Sequence, residues 1–411
     1  MLDMAPPTLL CGGPTLRLRD WFRGGASAAI AADAWPQLRG RTVIGTYRGR
    51  TAIALACRLL GIGPGHEVLV PAYNCGTEID ALLQSGARVV GYRVSQQCEV
   101  DVEDLKARRS NRTRAVYLIH YFGWEQPMGE LRRWCDDQGL LLIEDCALSL
   151  FSDGTTGAIG RMGDASIFSL PKTLGFHHGG LLSMPAPLTV ELPHLKPAGL
   201  RVLVREIRNS TRATAFRGLE SLGLYGTALS LRRSPLWKFR PLDADASAGG
   251  GGARPDIPRD YYFDAEADAD RTIHSQVWLA STAFSADDLI RRRRSNYLRL
   301  AGELQELDGA KLLYADLPDG ICPLCLPVVV ANRDAYVALL QAKGIAAPPW
   351  WAGFHRNGID WTQFPEACWL KHNILTLPIH QGMDDRHLSY VAKAFVQALQ
   401  STEIIHGISH R

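Results

Sequence analysis

Lys172 lies between two apolar runs, one at residues 165–170 and one that follows Gly179 and Gly180. Most lysines are exposed, so a position on a surface loop is the simple alternative for this residue. A lysine that is partly buried loses solvation of its ammonium group, which suits an amine nucleophile or a Schiff-base former. Two features upstream in the chain favour this second interpretation.

The first feature is a carboxylate at the end of an apolar stretch. Asp145 follows the run Leu-Leu-Leu-Ile-Glu at residues 140–144. It is therefore expected where a buried strand meets a crevice, and a carboxylate there needs a cation or a hydrogen-bond donor. A protonated pyridine nitrogen would be a good partner. The alternative that the local sequence leaves open is an aspartate that caps the start of a helix.

The second feature is a helix start. Residues 45–60 predict a turn that opens an amphipathic helix, with Arg50 and Thr51 in its first turn. Free amides at a helix N-terminus bind phosphate, although most glycine-containing helix starts bind nothing. Together with Lys172 and Asp145, this helix start supplies the parts that hold pyridoxal phosphate: a phosphate cradle, a ring-nitrogen partner and a Schiff-base lysine.

Strands and helices alternate over the segment that contains these residues. Their predicted ranges are strands at 68–71, 87–94, 115–120 and 140–143, and helices at 77–84, 102–108 and 128–138. This spacing predicts right-handed crossovers and a mainly parallel sheet. Ligands bind beyond the carboxyl ends of strands in such sheets, where Tyr73, His120 and Asp145 are expected to lie.

The C-terminal part predicts a smaller α+β unit, with a long helix from Arg291 to Leu304, a strand at 325–330 and helices at 334–343 and 385–400. The run Arg291–Arg294 is interpreted as a solvated helix face rather than a nucleic-acid patch. The aromatic loop at 348–351, with His355, either lines the substrate cleft or packs in the core. Cys322 and Cys325 have CxxC spacing, but a buried strand is favoured over a metal site.

Composition excludes several classes of protein. A chain of 411 residues with 46% hydrophobic and 21% charged residues has room for two or three ordinary globular domains, and its net charge of +3 predicts no partner. No apolar run is long enough to span a bilayer, and no secretory signal is evident at the N-terminus. Nine scattered cysteines indicate free thiols in a reducing compartment, so a cytoplasmic location is expected.

Several stretches, in their order and spacing, resemble the DegT/DnrJ/EryC1/StrS family of sugar aminotransferases. These stretches are GRTAIAL at 49–55, LGIGPGHEVLVPAY at 60–73, IHYFG at 119–123, IEDCA at 143–147, GDASIFSLPK at 163–172, GGL at 179–181, RRRRSNY at 291–297 and LPIHQG at 377–382. The resemblance implies the α/β architecture of fold type I pyridoxal-phosphate enzymes. In this fold a mainly parallel central sheet is flanked by helices, and a smaller α+β C-terminal domain follows.

The resemblance also implies roles for individual residues. Lys172 matches the lysine that forms the Schiff base with the cofactor and then moves a proton to or from the substrate carbon. Asp145 matches the aspartate that keeps the pyridine nitrogen protonated and makes the ring an electron sink. Arg50 and Thr51 fall on the residues whose amides, and sometimes hydroxyls, hold the phosphate, and Ser169 matches a serine that also reaches it.

Some positions depart from the family pattern. Leu148 stands where glutamine or histidine usually contacts the cofactor, and Cys75 stands where an aromatic residue usually stacks on its ring, unless a shifted loop brings Tyr73 there. The asparagine that commonly reaches the neighbouring subunit's phosphate falls near Ala269. His120 sits at a family-typical strand end near the cofactor, without an assigned chemical step. These departures indicate a divergent branch with an unusual substrate.

The sequence predicts three parts. They are an N-terminal arm at 1–44, a large cofactor-binding domain at 45–284 with a basic helical insert at about 186–245 and a glycine-rich flexible link at 246–253, and a small domain at 285–411. From Glu191 to Arg240 the chain has ten Lys and Arg against three Glu. A solvated basic face, a cover over the active site and a helix that docks on a membrane or a partner remain open interpretations.

The expected function is that of a pyridoxal-phosphate-dependent aminotransferase acting on a keto-sugar, often nucleotide-linked, or on a keto-cyclitol. The resemblance implies glutamate or glutamine as donor and a homodimer; no metal and no nucleic-acid partner are expected. Some relatives carry histidine in place of the lysine and act as dehydratases, so Lys172 favours transamination. A dehydratase or other reaction on a modified sugar, a non-catalytic regulator and a membrane-associated scaffold are the alternatives.

Overall fold

The computed structural model of the chain describes residues 13–22, 35–224, 227, 256–264, 270–357 and 359–409. The side chains of Phe22, Asp260 and residues 402–409 are outside that description. So are the expected glycine-rich link at 246–253, Ala269, parts of the N-terminal arm and nearly all of the insert beyond residue 224.

The larger part of the protein is built on a seven-stranded sheet. Its strands, with a short hairpin β6–β7 beside them, are β1 (Arg41–Thr46), β2 (Glu67–Pro71), β3 (Arg88–Tyr92), β4 (Thr113–Ile119), β5 (Leu141–Asp145), β6 (Asp153–Gly154), β7 (Gly157–Ala158), β8 (Ala165–Ser169) and β9 (Gly180–Pro185). The sheet has the order β1-β9-β8-β5-β4-β2-β3. Adjacent strands from β8 to β3 in this order are parallel, and β9 runs antiparallel to both β8 and β1. The predicted mainly parallel sheet is confirmed.

Helices cover this sheet and continue into the C-terminal part. They are α1 (Gly49–Leu59), α2 (Thr77–Gln84), α3 (Val102–Ala107), α4 (Met128–Gln138), α5 (Leu170–Leu174), α6 (Leu200–Ser221), α7 (Ser275–Thr282), α8 (Ala286–Leu304), α9 (Arg333–Ala342), α10 (Pro365–Asn373) and α11 (Asp385–Ser409). The helices α2 and α4 begin and end at the predicted residues. Lys172 lies within the short helix α5 and is partly buried, so the alternative of an exposed surface loop does not hold.

The strands of the sheet form the main hydrophobic core. All five residues of β2 and of β8 are buried, because helices or loops cover both faces of the sheet there. The strand β1 was not predicted from the sequence. It pairs with β9 from Arg41↔Pro185 to Thr46↔Gly180. Lys172 belongs to the long stretch of chain that connects these two paired strands.

The C-terminal part has its own small sheet and core. The strands β10 (Ala310–Leu312), β11 (Leu326–Val330) and β12 (Ile374–Leu377) pair antiparallel, and α8, α9 and α11 contribute apolar residues to the same cluster. The predicted smaller α+β unit is thus confirmed. The two cysteines of the CxxC motif, Cys322 and Cys325, are buried free thiols, but they lie in the loop before β11 rather than in the strand that the sequence favoured.

The arginine run on α8 corrects one expectation. Arg291 and Arg292 are exposed, as predicted for a solvated helix face. Arg293, in contrast, is 1% exposed. Its guanidinium is inserted between α8 and the loop before β11, where it donates to the carbonyls of Pro323 and Leu324. Alternate residues of a helix face different neighbours, so a run of like residues need not share one environment.

The helix α6 occupies most of the described part of the basic insert. Its inner face buries Glu206, Ser210, Ala213 and Phe216. The N-terminal arm holds that face: Trp21 Nε1 donates to Ser210 Oγ at 2.8 Å. The outer face exposes apolar side chains beside basic ones. Within the described residues, no helix is both long and apolar enough to cross a membrane.

Candidate active site

A cavity of about 650 Å³ opens beyond the carboxyl ends of β4, β5 and β8. Its lining brings together five of the residues singled out in the sequence, namely Arg50, Cys75, Asp145, Ser169 and Lys172. Each of them lies at the end of a strand or close to the start of a helix. The carboxyl ends of parallel strands meet at one edge of a sheet, and this geometry explains why residues so distant in sequence converge.

Lys172 lies on α5, directly after β8. This helix ends at Gly175, which adopts the left-handed conformation with φ +83°. A Cβ on Gly175 would lie 2.5 Å from the carbonyl oxygen of Pro14, so a glycine is required where the N-terminal arm crosses. The Lys172 ammonium lies 6.0 Å from the centroid of the Trp351 ring.

The C-terminal part holds the residue next to Lys172. The carbonyl of Thr173 accepts from Arg293 Nη2 at 3.0 Å and from Gln381 Nε2 at 3.1 Å. Both donors come from the C-terminal part of the chain, more than a hundred residues away. The orientation of the α5 turn, and with it of Lys172, therefore depends on contacts with the small unit.

Asp145 stands at the end of β5 and is 8% exposed. Its Oδ2 accepts from the Tyr117 hydroxyl at 2.6 Å and its Oδ1 from the Ala147 N–H at 2.9 Å. Burial raises the pKa of the Asp145 carboxyl, and the charge of Lys172 opposes that effect. The carboxylate is thus oriented by two donors and has a cation nearby, as expected of a group that receives a further positive partner.

The start of α1 forms another side of the same cavity, with Arg48, Gly49 and Arg50 in its lining. No side chain caps this helix, and its first turn contains no acidic residue. Gly180 lies so close that a Cβ there would be 2.3 Å from the Arg48 carbonyl. A helix start without a cap and without a negative charge suits an anion such as a phosphate group.

Cys75 lies in front of α2, and Glu78 fixes it. The Cys75 N–H donates to Glu78 Oε1 at 2.9 Å, and its thiol donates to Oε2 at 2.7 Å. Burial raises the pKa of the Cys75 thiol, and the charge of Glu78 adds to that effect. The thiol therefore stays protonated and acts as a packing contact rather than as a nucleophile.

The helix α6 forms a further side of the cavity, called here the α6 wall, through Glu206, Asn209, Ser210 and Ala213. Glu206 is fully buried and accepts from the His177 N–H at 2.9 Å. It also forms a 2.6 Å contact with His178 Nδ1. These bonds attach α6 directly to the loop that follows Lys172.

Three predicted site residues do not line the cavity. Thr51 is 2% exposed in the first turn of α1. Tyr73 is fully buried, and its hydroxyl donates to the Trp350 carbonyl, so it does not replace an aromatic ring at Cys75. The ring of His120 lies against Glu144, with Nε2 3.1 Å from a carboxylate oxygen, behind the edge that carries Asp145.

Sequence reasoning missed several residues of the site. Tyr117 lies on β4, next to the strand that ends in Asp145, and Glu78 lies in the first turn of α2, three residues after Cys75. A regular apolar pattern around each of them gave no sign of a polar role. Leu148 lines the cavity, as its place three residues after Asp145 suggests, and Trp350 and Trp351 line it as the aromatic loop interpretation proposed.

The sequence profile of the DegT/DnrJ/EryC1/StrS aminotransferase family matches residues 19–193 and 281–396. These two segments include Lys172, Asp145, Arg50, Ser169 and Cys75. The α6 wall lies between them, outside the matched residues.

Two characterised relatives differ in how much of the chain they match. A GDP-perosamine synthase of Vibrio cholerae is 33% identical over 146 residues, which are 35% of this chain and 40% of that protein. The dTDP-4-dehydro-2,3,6-trideoxy-D-glucose 4-aminotransferase of Saccharopolyspora spinosa is 25% identical over 381 residues, 88% of this chain and 84% of that protein. The chain thus spans less than half the length of the first relative and most of the second.

Among solved structures, the apo form of Spr1654 from Streptococcus pneumoniae superposes with a TM-score of 0.64 at 16% identity, over 100% of both chains. Its PLP form gives a TM-score of 0.63 at 16% identity, over 97% of this chain and 99% of that one. At this identity the likeness shows the fold alone, and it confirms the predicted fold class.

Proposed function

This chain belongs to the DegT/DnrJ/EryC1/StrS aminotransferase family of pyridoxal-phosphate enzymes, and from that premise we propose its reaction. The chain transfers an amino group from an amino acid, glutamate or glutamine, to a keto-sugar, often nucleotide-linked, or to a keto-cyclitol. Such a reaction belongs to sugar, natural-product or polysaccharide biosynthesis. The relatives named above support the sugar class, and the choice of donor rests on the family.

One observation carries the proposal. A lysine, a buried carboxylate and an uncapped helix start face the same cavity, at Lys172, Asp145 and Gly49. The donor set fits pyridoxal phosphate, because the group needs an amine, an anion for its ring nitrogen and amides for its phosphate. Bound there, the cofactor supplies an electron sink for the substrate carbon that exchanges its amino group.

The protein's own residues then have separate tasks. Lys172 holds the cofactor and carries a proton between its Nζ and the substrate carbon. Asp145 binds the ring nitrogen, and Tyr117 keeps the Asp145 carboxylate in place. The amides at the start of α1, with Ser169, would hold the phosphate, and Cys75 would contact the bound group from another side of the cavity.

The proposal includes a homodimer. Of the large hydrophobic side chains that are exposed among the described residues, all but Leu298 lie between residues 190 and 224. Exposed apolar side chains that concentrate on one segment of the chain suit a surface that a second copy covers. Light scattering should give about twice the chain mass of 45.2 kDa. A monomer that instead binds anionic liposomes would favour the membrane-docking alternative.

The first test is spectroscopic. Purified protein mixed with pyridoxal phosphate should develop a Schiff-base absorption band, and borohydride reduction followed by peptide mapping should locate the label on Lys172. Lys172→Ala is the control that should show no band. A label on another lysine would contradict the site assignment, and the absence of any label would favour a non-catalytic role.

The second test separates transamination from dehydration. Glutamate labelled with ¹⁵N at its amino group, or glutamine, is incubated with the protein and a panel of keto-sugars and keto-cyclitols. Transfer of ¹⁵N into a sugar or cyclitol product supports the proposal. Loss of water from the acceptor without incorporation of nitrogen would assign the protein to the dehydratase alternative.

A further inference from the structure

Lys371, on α10, carries its charge into the interior between two loops that line the cavity. Its side chain is 1% exposed. Nζ donates to the backbone oxygens of Asn74 at 2.7 Å, Gly353 at 2.7 Å and Trp351 at 3.0 Å. An ammonium group has three N–H donors, so these three carbonyls engage all of them.

Aromatic rings surround the same ammonium group. Nζ lies 5.0 Å from the centroid of the Trp361 ring, 5.2 Å from that of Phe354 and 5.9 Å from that of Tyr73. Cation–π attraction operates at these distances. The cation is therefore held by carbonyl dipoles and ring faces, and its three hydrogen bonds all end on the backbone rather than on a carboxylate.

This arrangement does not favour folding. Burial lowers the pKa of Lys371 to about 8; the negative charge of Glu78 opposes that effect, and the charge of Arg333 adds to it. A charge buried without a bonded counter-ion destabilises a fold relative to an apolar residue of similar size. Methionine has a similar length and would avoid that penalty, but it would leave the three carbonyls without their donor, so the two effects on the free energy of unfolding oppose each other. The stability of the fold therefore does not explain a lysine at this position.

The two loops that Lys371 joins carry residues of the candidate active site. Asn74 directly precedes Cys75, and Trp351 is the ring that faces the Lys172 ammonium. Trp351 has a φ of +54°, in the left-handed region that bulky residues rarely adopt. The hydrogen bond from Lys371 to the Trp351 carbonyl helps to hold this unfavourable conformation.

We propose that Lys371 is a positioning residue, whose ammonium group joins the Asn74 and Trp351 carbonyls and thereby fixes Cys75 and Trp351 opposite Lys172. The catalytic consequence rests on the proposed function. The joining of the two loops is a property of the chain alone and can be measured without cofactor or substrate.

The first experiment measures hydrogen exchange of the cofactor-free protein. In Lys371→Met, backbone amides of residues 74–76 and 351–354 should exchange at least about tenfold faster, because a thioether donates no hydrogen bond. Amides in the rest of the chain should exchange as in wild type, and the unfolding midpoint should change little, because the lost desolvation penalty and the three unpaired carbonyls oppose each other. Lys343→Met is the matched control, since Lys343 Nζ donates to the Gln397 side chain on another surface, at 3.1 Å.

The second experiment uses the protein with pyridoxal phosphate, glutamate and an accepted acceptor. Lys371→Met should lower kcat about 10- to 100-fold, because a displaced contact at the reacting group costs this much. KM for glutamate should change less than twofold, and the Schiff-base absorption maximum should shift. Lys371→Gln, which keeps a donor without the charge, should give an intermediate kcat.

Three results would overturn the proposal. The first is unchanged exchange in residues 74–76 and 351–354 for both Lys371 variants. The second is an unchanged kcat and absorption maximum in both variants. The third is faster exchange throughout the chain with a lower unfolding midpoint, which would indicate a general structural role. Failure of wild-type protein to form a Schiff base on Lys172 would instead contradict the proposed function, and it would not affect the conclusion from hydrogen exchange.

Discussion

The floor of the cavity and the α6 wall are built in different ways. The floor consists of the strand ends that carry Asp145 and Ser169, the α5 turn with Lys172 and the start of α1. Its charged group is oriented by neighbours within the sheet: Asp145 accepts from Tyr117 on the adjacent strand and from Ala147 two residues later. Residues of the family-matched segments form all of it.

The α6 wall belongs to the segment between the matched residues, and its bonds reach distant parts of the chain. Glu206 binds the loop after Lys172, and Ser210 binds the N-terminal arm. Asn209 faces the cavity without a hydrogen bond from its side chain to any described residue. Under the proposed function, the floor serves the cofactor that all members share, and the wall serves the acceptor that differs among them.

The largest expected effect is at the floor. Lys172→Ala should abolish the Schiff-base band and lower the rate of amino transfer by about 10⁴-fold, because the amine that moves the proton is gone. Steady-state assays and absorption spectra check this. Lys311→Ala, on the exposed face of β10, should behave as wild type. Residual activity within tenfold of wild type would show that the floor is not the reacting side.

Asp145→Asn should lower kcat by about 10²-fold or more, since an amide keeps the shape of the side chain but not the negative charge that holds a protonated ring nitrogen. The variant should still bind the cofactor covalently through Lys172. The measurement is kcat with cofactor occupancy determined from the absorption band. An unchanged kcat at full occupancy would remove Asp145 from the proposed mechanism.

Glu206→Ala should act on the wall alone. It removes the carboxylate that accepts from the His177 N–H and contacts the buried His178 ring, so the free energy of unfolding should fall by about 3 kcal/mol. Urea denaturation measures this, with Glu191→Ala at an exposed position as control. Equal stability of the two variants would mean that α6 is not held to the Lys172 loop by this contact.

Asn209→Ala should raise KM for the acceptor about fivefold to tenfold, the size of one hydrogen bond to a polar ligand group. The Schiff-base band and the KM for glutamate should not change. Thr211→Ala, on the exposed face of the same helix, provides the matched control. A rise in the KM for glutamate rather than for the acceptor would reverse the division of tasks between wall and floor.

The smallest expected effect is the pH dependence of the free energy of unfolding that arises from Lys371 on α10. Its pKa is about 8 in the folded protein and 10.5 ordinarily, so between these pH values the unfolded chain binds more protons. The free energy of unfolding of wild type should therefore rise relative to Lys371→Met, by about 1 kcal/mol from pH 8 to pH 9. Denaturation at each pH measures this. If the free energies of unfolding of wild type and Lys371→Met change with pH in the same way, the pKa of Lys371 is not lowered by burial.

The sequence predicts the floor better than the wall for a physical reason. Continuous apolar runs identify β4, β5 and β8, and the polar residue that follows each run must lie at a strand end. Asp145 and Lys172 could be found in this way. The pairing of β1 with β9 could not, because it joins segments about 140 residues apart and β1 is only partly buried.

Buried polar residues whose partners are distant in sequence could not be predicted either. The run Arg291–Arg294 gave no sign that Arg293 alone turns inward, and Lys371 lies in a helix whose sequence shows no strong amphipathic pattern. Glu206 was counted among a few acids in a basic segment, yet it is the residue that attaches that segment. Each of these roles depends on a backbone carbonyl or amide from another element, which leaves no local pattern.

The shared hydrogen bonds to the Thr173 carbonyl bear on how this protein would lose activity as it ages. Arg293 and Gln381 belong to the C-terminal part, so a protease cut or oxidative damage that loosens that part also releases the turn beside Lys172. A damaged molecule would then stop turning over before its central sheet unfolds. Samples undergoing limited digestion should accordingly lose catalysis at the first cut within α8, while the spectroscopic signature of the folded sheet persists.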